Sequence, residues 1–276
     1  MSYFIVLILF CCVSAASSLS CTIIGANGRT GSKITTLALK KNWKTVALTR
    51  NGSCNVAGKV INFAGDITKA TSLASAIKGS QAVFFAASAS KEGGTPQQID
   101  KDGLVNIAKL CIEYKVPRLV IISSGAVSKP FSPVYLFLNL FGGIMKAKIE
   151  GENEVRKLYA DSDVKKKKLS YTIIRPGGLT EDEPRGVTAV ELNQGDDRSG
   201  RISRWDVAAV AVECVSAPSA SAVTIECYYK DTSQPLANVG LSNILKKTNK
   251  NSERVLTGKE RNGDTWSAIF RGLIVD

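Results

Sequence analysis

Residues 21–31 read Cys21-Thr22-Ile23-Ile24-Gly25-Ala26-Asn27-Gly28-Arg29-Thr30-Gly31, and this stretch decides the fold. The apolar run Cys21–Ile24 predicts a buried strand, and the G-x-x-G-x-x-G loop that follows opens a helix near Gly31–Lys41. Gly25 allows a tight turn, Gly28 lets the backbone approach a pyrophosphate, and Gly31 permits close packing of helix on strand. We therefore predict a phosphate cradle for a dinucleotide at the helix N-terminus. Its residues are Gly25, Ala26, Asn27, Gly28, Arg29, Thr30 and Gly31.

Outward from this loop, short apolar runs alternate with helical patterns. This alternation predicts βαβ units and a parallel sheet that is buried on both faces. The predicted strands are Cys21–Ile24, Thr45–Thr49, Val60–Phe63, Ala82–Ala86, Leu119–Ser123 and Tyr171–Arg175. The predicted helices lie near Gly31–Lys41, Leu73–Ile77, Gln97–Tyr114 and Ile144–Tyr159. The fold class is therefore α/β, a doubly wound parallel-sheet Rossmann fold.

The C-terminal part of the chain departs from this pattern after Pro176. Its predicted elements are a strand near Val187–Leu192, a helix over Trp205–Val215, a strand near Val223–Tyr229 and a helix over Leu236–Lys246. Residues 180–276 are too short and too intermixed for a second domain, so we expect them to complete the sheet edge and form a small cap. Residues 21–276 then make a single domain.

The end of the second strand indicates which dinucleotide is preferred. An NAD-specific site places an acidic residue there to bind the ribose diol, whereas this chain has Arg50. A guanidinium suits the adenosine 2′-phosphate, so we predict NADP(H) as the cofactor, in preference to NAD(H). Arg29 in the glycine loop offers a second cation for the same phosphate. The alternative is that both arginines are solvated surface charges with no role in binding the cofactor.

Composition excludes several kinds of chemistry. The 276 residues contain 36 Lys and Arg against 24 Asp and Glu, a net charge of +12, which suits an anionic ligand or surface. The chain has no histidine, which excludes Ser-His-Asp and Cys-His nucleophiles and every zinc site that uses imidazole. No metal site is predicted. The seven cysteines show no C-x-x-C pair, which favours buried thiols over a disulfide framework.

The N-terminus has the pattern of an export signal. Residues 1–20 carry no charge, and the apolar run Tyr3–Val13 precedes the small residues Ser14, Ala15 and Ala16. We predict a signal peptide or leader over residues 1–16. A retained apolar tail is the alternative, because the segment before the apolar run has no Lys or Arg. The leader implies entry into the secretory pathway, and then the plastid of an alga or an ER-derived compartment.

Five segments together resemble the atypical short-chain dehydrogenase/reductases that bind NAD(P). They are Gly25–Gly31, Gly65–Ile67, Ala86–Ser88, Val120–Ser124 and Thr172–Leu179. Relatives in this group include NmrA-like regulators, chloroplast members and biliverdin reductase B-like proteins. The resemblance covers almost all of residues 21–276, and the combination of segments is specific to the superfamily rather than to one protein.

The resemblance implies a location for each part of the cofactor. Asp66 and Ile67 would flank the adenine. The nicotinamide ribose would lie against Ala86, Ala87 and Ser88. The nicotinamide face would be covered by Pro176, Gly177, Gly178 and Leu179. Arg204 and Asp206 match a motif that starts a helix of the cap, where a carboxylate near the helix N-terminus is favourable, so we expect a structural role for them.

The catalytic motif of the superfamily is incomplete. Its working dehydrogenases use a Tyr-x-x-x-Lys pair in which tyrosine is the general acid, with a serine that orients the substrate carbonyl. Ser123, Ser124 and Lys148 are the catalytic candidates here, and Ser123 and Lys148 are also candidates for cofactor binding. Ile144 occupies the tyrosine position. Lys148 would hold the nicotinamide ribose; Lys146 competes for that role, and a solvated helix lysine is the alternative.

Two functions remain open. One is an NADPH-dependent oxidoreductase of an easily reduced acceptor, such as a quinone or flavin, which needs no tyrosine. The other is a dinucleotide-binding sensor or assembly factor without turnover; an epimerase is disfavoured, because it requires the same tyrosine. The partner is therefore a small-molecule acceptor or a protein, with a monomer or homodimer expected.

The run Lys165–Lys168 is a charged patch or a solvated surface loop. Because no aromatic residues interleave this run, binding of nucleic acid is not expected.

Overall fold

A computed structural model of the chain describes residues 18–90, 93–239 and 256–276. The strands of the main sheet are β1 (Ser20–Ile24), β2 (Lys44–Thr49), β3 (Val60–Ala64), β4 (Ala82–Phe85), β5 (Arg118–Ile122), β6 (Ser170–Pro176), β8 (Val190–Asn193) and β11 (Val223–Tyr229). Short strands of the cap are β7 (Gly178–Thr180), β9 (Arg198–Ser199), β10 (Arg201–Ser203) and β12 (Gln234–Pro235). The helices are α1 (Gly31–Lys40), α2 (Ala74–Ile77), α3 (Leu104–Glu113), α4 (Pro133–Asn139), α5 (Ile144–Ala160), α6 (Ser162–Lys166), α7 (Arg204–Glu213) and α8 (Trp266–Phe270).

The main sheet has eight strands in the order β3-β2-β1-β4-β5-β6-β11-β8. Neighbouring strands are parallel except for β8, which runs antiparallel to β11. Because the chain leaves β1 toward β2 on one side and returns to β4 on the other, the strand order reverses at β1. In such sheets the carboxyl ends of the strands at the reversal form a crevice. The doubly wound fold predicted from the sequence is confirmed.

Helices cover both faces of this sheet, and each face has its own apolar core. On one face, Ile23 and Phe84 of the sheet belong to the same buried cluster as residues of α1 and α7. On the other, Val83 and Leu119 are buried in a cluster with residues of α3 and α5. Central strands are buried on both sides, which explains why they appear in the sequence as continuous apolar runs.

The structure differs from the sequence-based prediction in three features. The predicted loop Lys165–Lys168 is partly helical, since Lys165 and Lys166 form the last turn of α6, and Asp161 caps its first turn. Of the predicted helix Leu236–Lys246, the structure describes a 3-10 turn over Leu236–Asn238, and residues 240–255 lie outside the described part. The third feature, α4, was not predicted, although Ser132 caps it and Pro133 occupies its first turn.

The predicted leader, residues 1–16, also lies outside the described residues. Within those residues, none of the helices is long and apolar enough to span a membrane.

Candidate dinucleotide and acceptor sites

A cavity of about 670 Å³ opens at the carboxyl ends of β1 to β4. Each of these strands contributes the residues that follow its last position. The sequence-predicted residues that line the cavity are Gly25, Asn27, Gly28, Arg50, Asp66, Ile67, Ala86, Ala87 and Ser88. The fold therefore brings together the predicted adenine, phosphate and ribose contacts at the point where the strand order reverses.

The glycine loop is shaped by contacts that leave no room for side chains. Gly25 has φ +79°, and a Cβ there would lie 3.0 Å from the carbonyl oxygen of Ala86. A Cβ at Gly31 would lie 2.1 Å from the carbonyl oxygen of Gly25. Gly28 donates its N–H to that same oxygen at 2.8 Å and lines the cavity. The loop thus needs glycine for backbone packing at Gly25 and Gly31, while Gly28 presents bare backbone to the cavity.

The other loop residues lie beneath or beside the cradle. Ala26, Thr30 and Gly31 are buried and do not line the cavity in the described part of the chain. Arg29, predicted as a second cation for the 2′-phosphate, lies 3.6 Å from the Glu181 carboxylate and does not line this cavity in the described residues either. The prediction for Arg29 is therefore not supported, because its side chain is directed to Glu181, beside the cap.

Arg50 lies on a loop that the glycine loop itself holds in place. The Asn27 side chain donates to the Ser53 carbonyl at 2.7 Å and accepts from the Asn55 N–H at 2.9 Å. Arg50 is exposed and lines the cavity near Asp66. Hydrogen bonds from the Thr68 N–H and hydroxyl lower the pKa of Asp66, with a smaller contribution from the Arg50 charge. Asp66 is thus a carboxylate at neutral pH, and a cation faces the same end of the cavity.

A second cavity, of about 320 Å³, lies beyond the ends of β5 and β6. Its predicted lining residues are Ser124, Pro176, Gly177, Gly178 and Leu179. A Cβ at Gly177 would lie 2.4 Å from the Gly200 carbonyl oxygen, so glycine is required for this strand to pass the cap. The four residues Pro176–Leu179, predicted to cover the nicotinamide, therefore form one wall of a cavity.

Two other parts of the wall of the second cavity differ in character, one being apolar and the other cationic. Val134 and Leu138 of α4 supply apolar surface, and Arg201 and Arg204 of the cap supply positive charge. Arg204 lies 2.7 Å from the Glu181 carboxylate. Burial, together with the nearby Arg29 charge, lowers the pKa of Arg204. The arrangement suits an apolar ring system that carries or gains negative charge.

Of the catalytic candidates, Ser124 lines the second cavity and Ser123 does not. The Ser123 hydroxyl donates to the Glu152 carboxylate at 2.5 Å. That carboxylate also accepts from Arg175 at 2.5 Å and from Arg156 at 2.9 Å. Ser123 is therefore part of a buried ionic network, and its hydroxyl is committed to Glu152 rather than to a substrate carbonyl.

Lys148 is likewise held in an ion pair. Its Nζ lies 2.7 Å from the Asp100 carboxylate, which is fully buried. Asp100 also accepts from the Ser88 hydroxyl at 2.7 Å and from the Ala89 N–H at 2.9 Å. Lys148 thus connects through Asp100 to Ser88, which lines the first cavity, and so lies behind the predicted ribose wall. Lys146 is exposed and lies 4.0 Å from Glu150, so the structure favours Lys148 over Lys146.

Tyrosine is absent from both cavities in the described residues. Ile144 begins α5 and packs against a small apolar cluster that includes Tyr135. Tyr171 donates its hydroxyl to Asp276 at 3.0 Å, and Tyr229 donates to Asp206 at 2.5 Å. The described part of the chain therefore offers neither cavity a phenol as a general acid.

Comparison with known proteins decides the family. The sequence profile of a family described as NAD(P)H-binding matches residues 25–218, well over half of the chain. The chain belongs to the NAD(P)H-binding family. The predicted resemblance, the Rossmann-type fold and the NAD(P)H cofactor are thereby confirmed.

Several proteins resemble this member of the NAD(P)H-binding family. An uncharacterized chloroplastic protein of Arabidopsis thaliana is 36% identical over 137 residues, a match that covers 48% of this chain and 45% of that protein. A short-chain dehydrogenase/reductase from Veillonella parvula, solved with NADP, is 21% identical with a TM-score of 0.58; the match covers 78% of this chain and 96% of that one. An anaerobillin reductase from Escherichia coli O157:H7 is 21% identical with a TM-score of 0.60; the match covers 77% of this chain and 98% of that one. The two structures support the fold of the NAD(P)H-binding domain, while the Arabidopsis match spans less than half of its relative.

The functional residues missed from the sequence are acidic. Asp100, Glu152 and Glu181 each bind a predicted site residue of this NAD(P)H-binding chain: Lys148, Ser123 and Arg29 respectively. A weak signal existed for Glu152, which lies one helical turn after Lys148 on α5. Asp206 and Arg204 were both predicted to be structural: Asp206 accepts from the backbone of Arg185 and Gly186 at 2.7 and 3.1 Å, whereas Arg204 lines the second cavity.

Proposed function

We propose that this chain is an NADPH-dependent reductase of an easily reduced acceptor, such as a quinone or flavin. Bound NADPH supplies a hydride to the acceptor. The observation that supports this proposal most strongly is the second cavity, which adjoins the predicted nicotinamide wall and combines apolar and arginine surfaces with no tyrosine among its described lining residues.

The first cavity fits the adenosine and pyrophosphate halves of the cofactor. Gly25, Gly28 and Gly31 leave backbone exposed or closely packed where a Cβ would intrude, and α1 begins there with no acidic residue in its first turn. Backbone N–H groups at a helix N-terminus bind phosphate. Arg50 would hold the adenosine 2′-phosphate, which favours NADPH over NADH.

The chain's own residues would orient the acceptor and stabilise its charge. Ser124 would donate a hydrogen bond at the floor of the second cavity, while Arg201 and Arg204 face negative charge that develops on the acceptor. Water would supply the proton. Lys148, through Asp100, would position Ser88 and the ribose wall rather than donate a proton.

Turnover with a panel of acceptors tests this proposal. NADPH oxidation is followed with quinones, flavins and simple ketones. We expect turnover with quinones or flavins and none above background with ketones, because a missing general acid costs a carbonyl reductase about 10²–10⁴-fold. Rapid ketone reduction that depends on Lys148 would contradict the proposal.

A second candidate function is a dinucleotide-binding sensor or assembly factor. The observation that favours it is that Ser123 and Lys148 are both held in buried ionic contacts, with Glu152 and Asp100. In that case NADPH binds tightly, but no acceptor in the panel accelerates its oxidation. Calorimetric binding measured beside the turnover assay separates the two functions.

We propose that the protein acts in a plastid reached through the secretory pathway. The support is the apolar segment Tyr3–Val13 and the chloroplastic name of the Arabidopsis relative. A fluorescent protein fused after residue 20 would accumulate in the plastid of an alga with complex plastids. Retention of the fusion in the cytosol would contradict this location.

A further inference from the structure

The segment 131–141 exposes an unusual amount of apolar surface. Phe131, Leu136, Leu140 and Phe141 are 91%, 56%, 80% and 63% exposed, and we call these four side chains the α4 surface. They are half of the large apolar side chains that are strongly exposed in the described residues. An apolar patch of this kind on a folded domain marks a binding surface for another body.

The helix α4 carries Leu136 of the α4 surface, is flanked by its other three side chains, and is apolar on its opposite side as well. Tyr135 is buried with Met145 in a small core cluster, and Val134 and Leu138 line the second cavity. Residues 133–141 contain a single amide, Asn139, and no charge. A helix that is apolar all round belongs in a core or in lipid, yet one side of α4 faces solvent.

Two polar side chains beside the α4 surface accept hydrogen bonds from within the chain. The Ser132 hydroxyl accepts from the Tyr135 N–H at 3.1 Å, and the Asn139 side chain accepts from the Lys146 N–H at 3.1 Å. A protein interface typically has about one hydrogen bond for every 100–200 Å² of contact. A lipid bilayer requires none, so the chemistry of this surface favours lipid over a protein partner.

The charged residues of the segment that carries the α4 surface have one sign. Residues 125–149 contain Lys129, Lys146 and Lys148 and no Asp or Glu, within a chain of net charge +12. Each of the three lies within 4.0 Å of a carboxylate, those of Asp197, Glu150 and Asp100 respectively, but Lys146 is 72% exposed and its contact is the longest. Protruding apolar side chains beside an exposed lysine, on a chain with a net positive charge, suit a protein that lies on an anionic membrane.

We propose that the α4 surface docks on an anionic lipid bilayer, with Phe131, Leu140 and Phe141 inserted at the boundary between headgroups and acyl chains. Val134 and Leu138 lie on α4, between Phe131 and Leu140 in the chain, and line the second cavity, so docking brings that cavity close to the lipid. A lipid-soluble acceptor would then enter from the bilayer. This last consequence rests on the proposed function, whereas docking itself does not.

Tryptophan substitutions test the docking at defined positions. Phe131→Trp and Leu140→Trp are made singly in the full chain, with Ile61→Trp as the control on β3, where the natural side chain is 44% exposed. Each protein is mixed with phosphatidylcholine–phosphatidylglycerol vesicles, with and without brominated acyl chains. We expect quenching by bromine beyond that of the three natural tryptophans for Phe131→Trp and Leu140→Trp, and none for Ile61→Trp.

A loss-of-binding variant provides the second measurement. Phe131→Ser, Leu140→Ser and Phe141→Ser together should lower partitioning onto the same vesicles by about tenfold or more, because partitioning scales with the apolar area buried in lipid. The Ile61→Ser control should partition as the natural chain does. NADPH affinity, unchanged in both, shows that the fold is intact and reports on the proposed function separately.

Several results would overturn the docking proposal. Equal quenching at positions 61, 131 and 140 would mean that the leader or general charge holds the chain on vesicles. Equal partitioning of the triple-serine variant and the natural chain would mean the same. If light scattering showed a dimer that the triple variant converts to a monomer, without quenching by brominated lipid, the α4 surface would be an interface between two copies of this chain.

Discussion

Replacing Glu226 with glutamine is expected to remove a strong pH dependence from the stability of the protein. Glu226 lies on β11, opposite Arg175 of β6 and Asn193 of β8, and is 1% exposed. Neither of its carboxyl oxygens forms a hydrogen bond of normal geometry with the described residues. Burial, and then the nearby Asp196 charge, raise the pKa of Glu226 to about 8, although the Asp196 backbone N–H and then the Arg175 charge oppose this.

The sign of the effect follows from the folded and unfolded pKa values. The unfolded chain binds this proton with a pKa of 4.5, whereas the folded chain binds it with a pKa of about 8. The contribution of the neutral carboxyl to stability is therefore fully present below pH 4.5 and is lost as the pH rises to about 8. Between about pH 5.5 and about pH 8 the free energy of unfolding should fall by about 3 kcal/mol on this account.

Urea unfolding, followed by circular dichroism across this pH range, measures the effect. Glu226→Gln keeps the size and neutrality of the side chain, so it should remove that decline and stabilise the protein most at the alkaline end. Glu183→Gln, at an exposed position, is the matched control and should keep the pH dependence of the natural chain. If Glu226→Gln unfolds with the same pH dependence as Glu183→Gln, the reasoning about the buried carboxyl is wrong.

Three further predictions concern the site. Gly28→Val should keep its fold, measured by circular dichroism, and lose dinucleotide binding, measured by calorimetry. Gly31→Ala should disturb the fold, because its Cβ would lie 2.1 Å from the Gly25 carbonyl oxygen. A folded Gly28→Val variant that binds the dinucleotide normally would refute the phosphate cradle. Lys148→Met should lower the free energy of unfolding by about 3–5 kcal/mol, because it leaves the Asp100 carboxylate buried without its cation. Urea unfolding of Lys148→Met, compared with that of Lys148→Arg, which keeps the positive charge, measures this loss. Ile144→Tyr should leave the rate of ketone reduction within about tenfold of the natural rate, far below the 10²–10⁴-fold gain of general acid catalysis, because Ser123 is bonded to Glu152. A larger gain in the rate of ketone reduction would show that Ser123 is free to orient a carbonyl.

The elements that the sequence predicted well are those whose causes are local. The strands β1, β4 and β5 are mostly apolar because both faces are buried, and the glycine loop has its spacing because Gly25 and Gly31 meet backbone. By contrast, the capping Ser132 and Pro133 were present in the sequence before α4, but the exposed apolar side of that helix gives no amphipathic pattern.

The site was predicted less completely because its residues depend on distant partners. The positions of Gly28, Arg50 and Asp66 follow from the strand ends, so the first cavity could be assembled from sequence. The directions of Ser123 and Arg29 could not, because they are set by Glu152 and Glu181, 29 and 152 residues further along the chain. Contacts of such separation leave no periodic signal in a single sequence.

The preference for NADPH is tested most directly by titrating NADPH and NADH into the natural chain and into Arg50→Ala. The guanidinium of Arg50 lies at the end of β2, where the 2′-phosphate would bind, and a hydrogen bond to a charged group contributes about 1.5–3 kcal/mol. We predict tighter binding of NADPH than of NADH by the natural chain, a loss of about 10- to 150-fold for NADPH in Arg50→Ala, and almost no change for NADH. Equal affinities for the two cofactors in the natural chain would contradict the account.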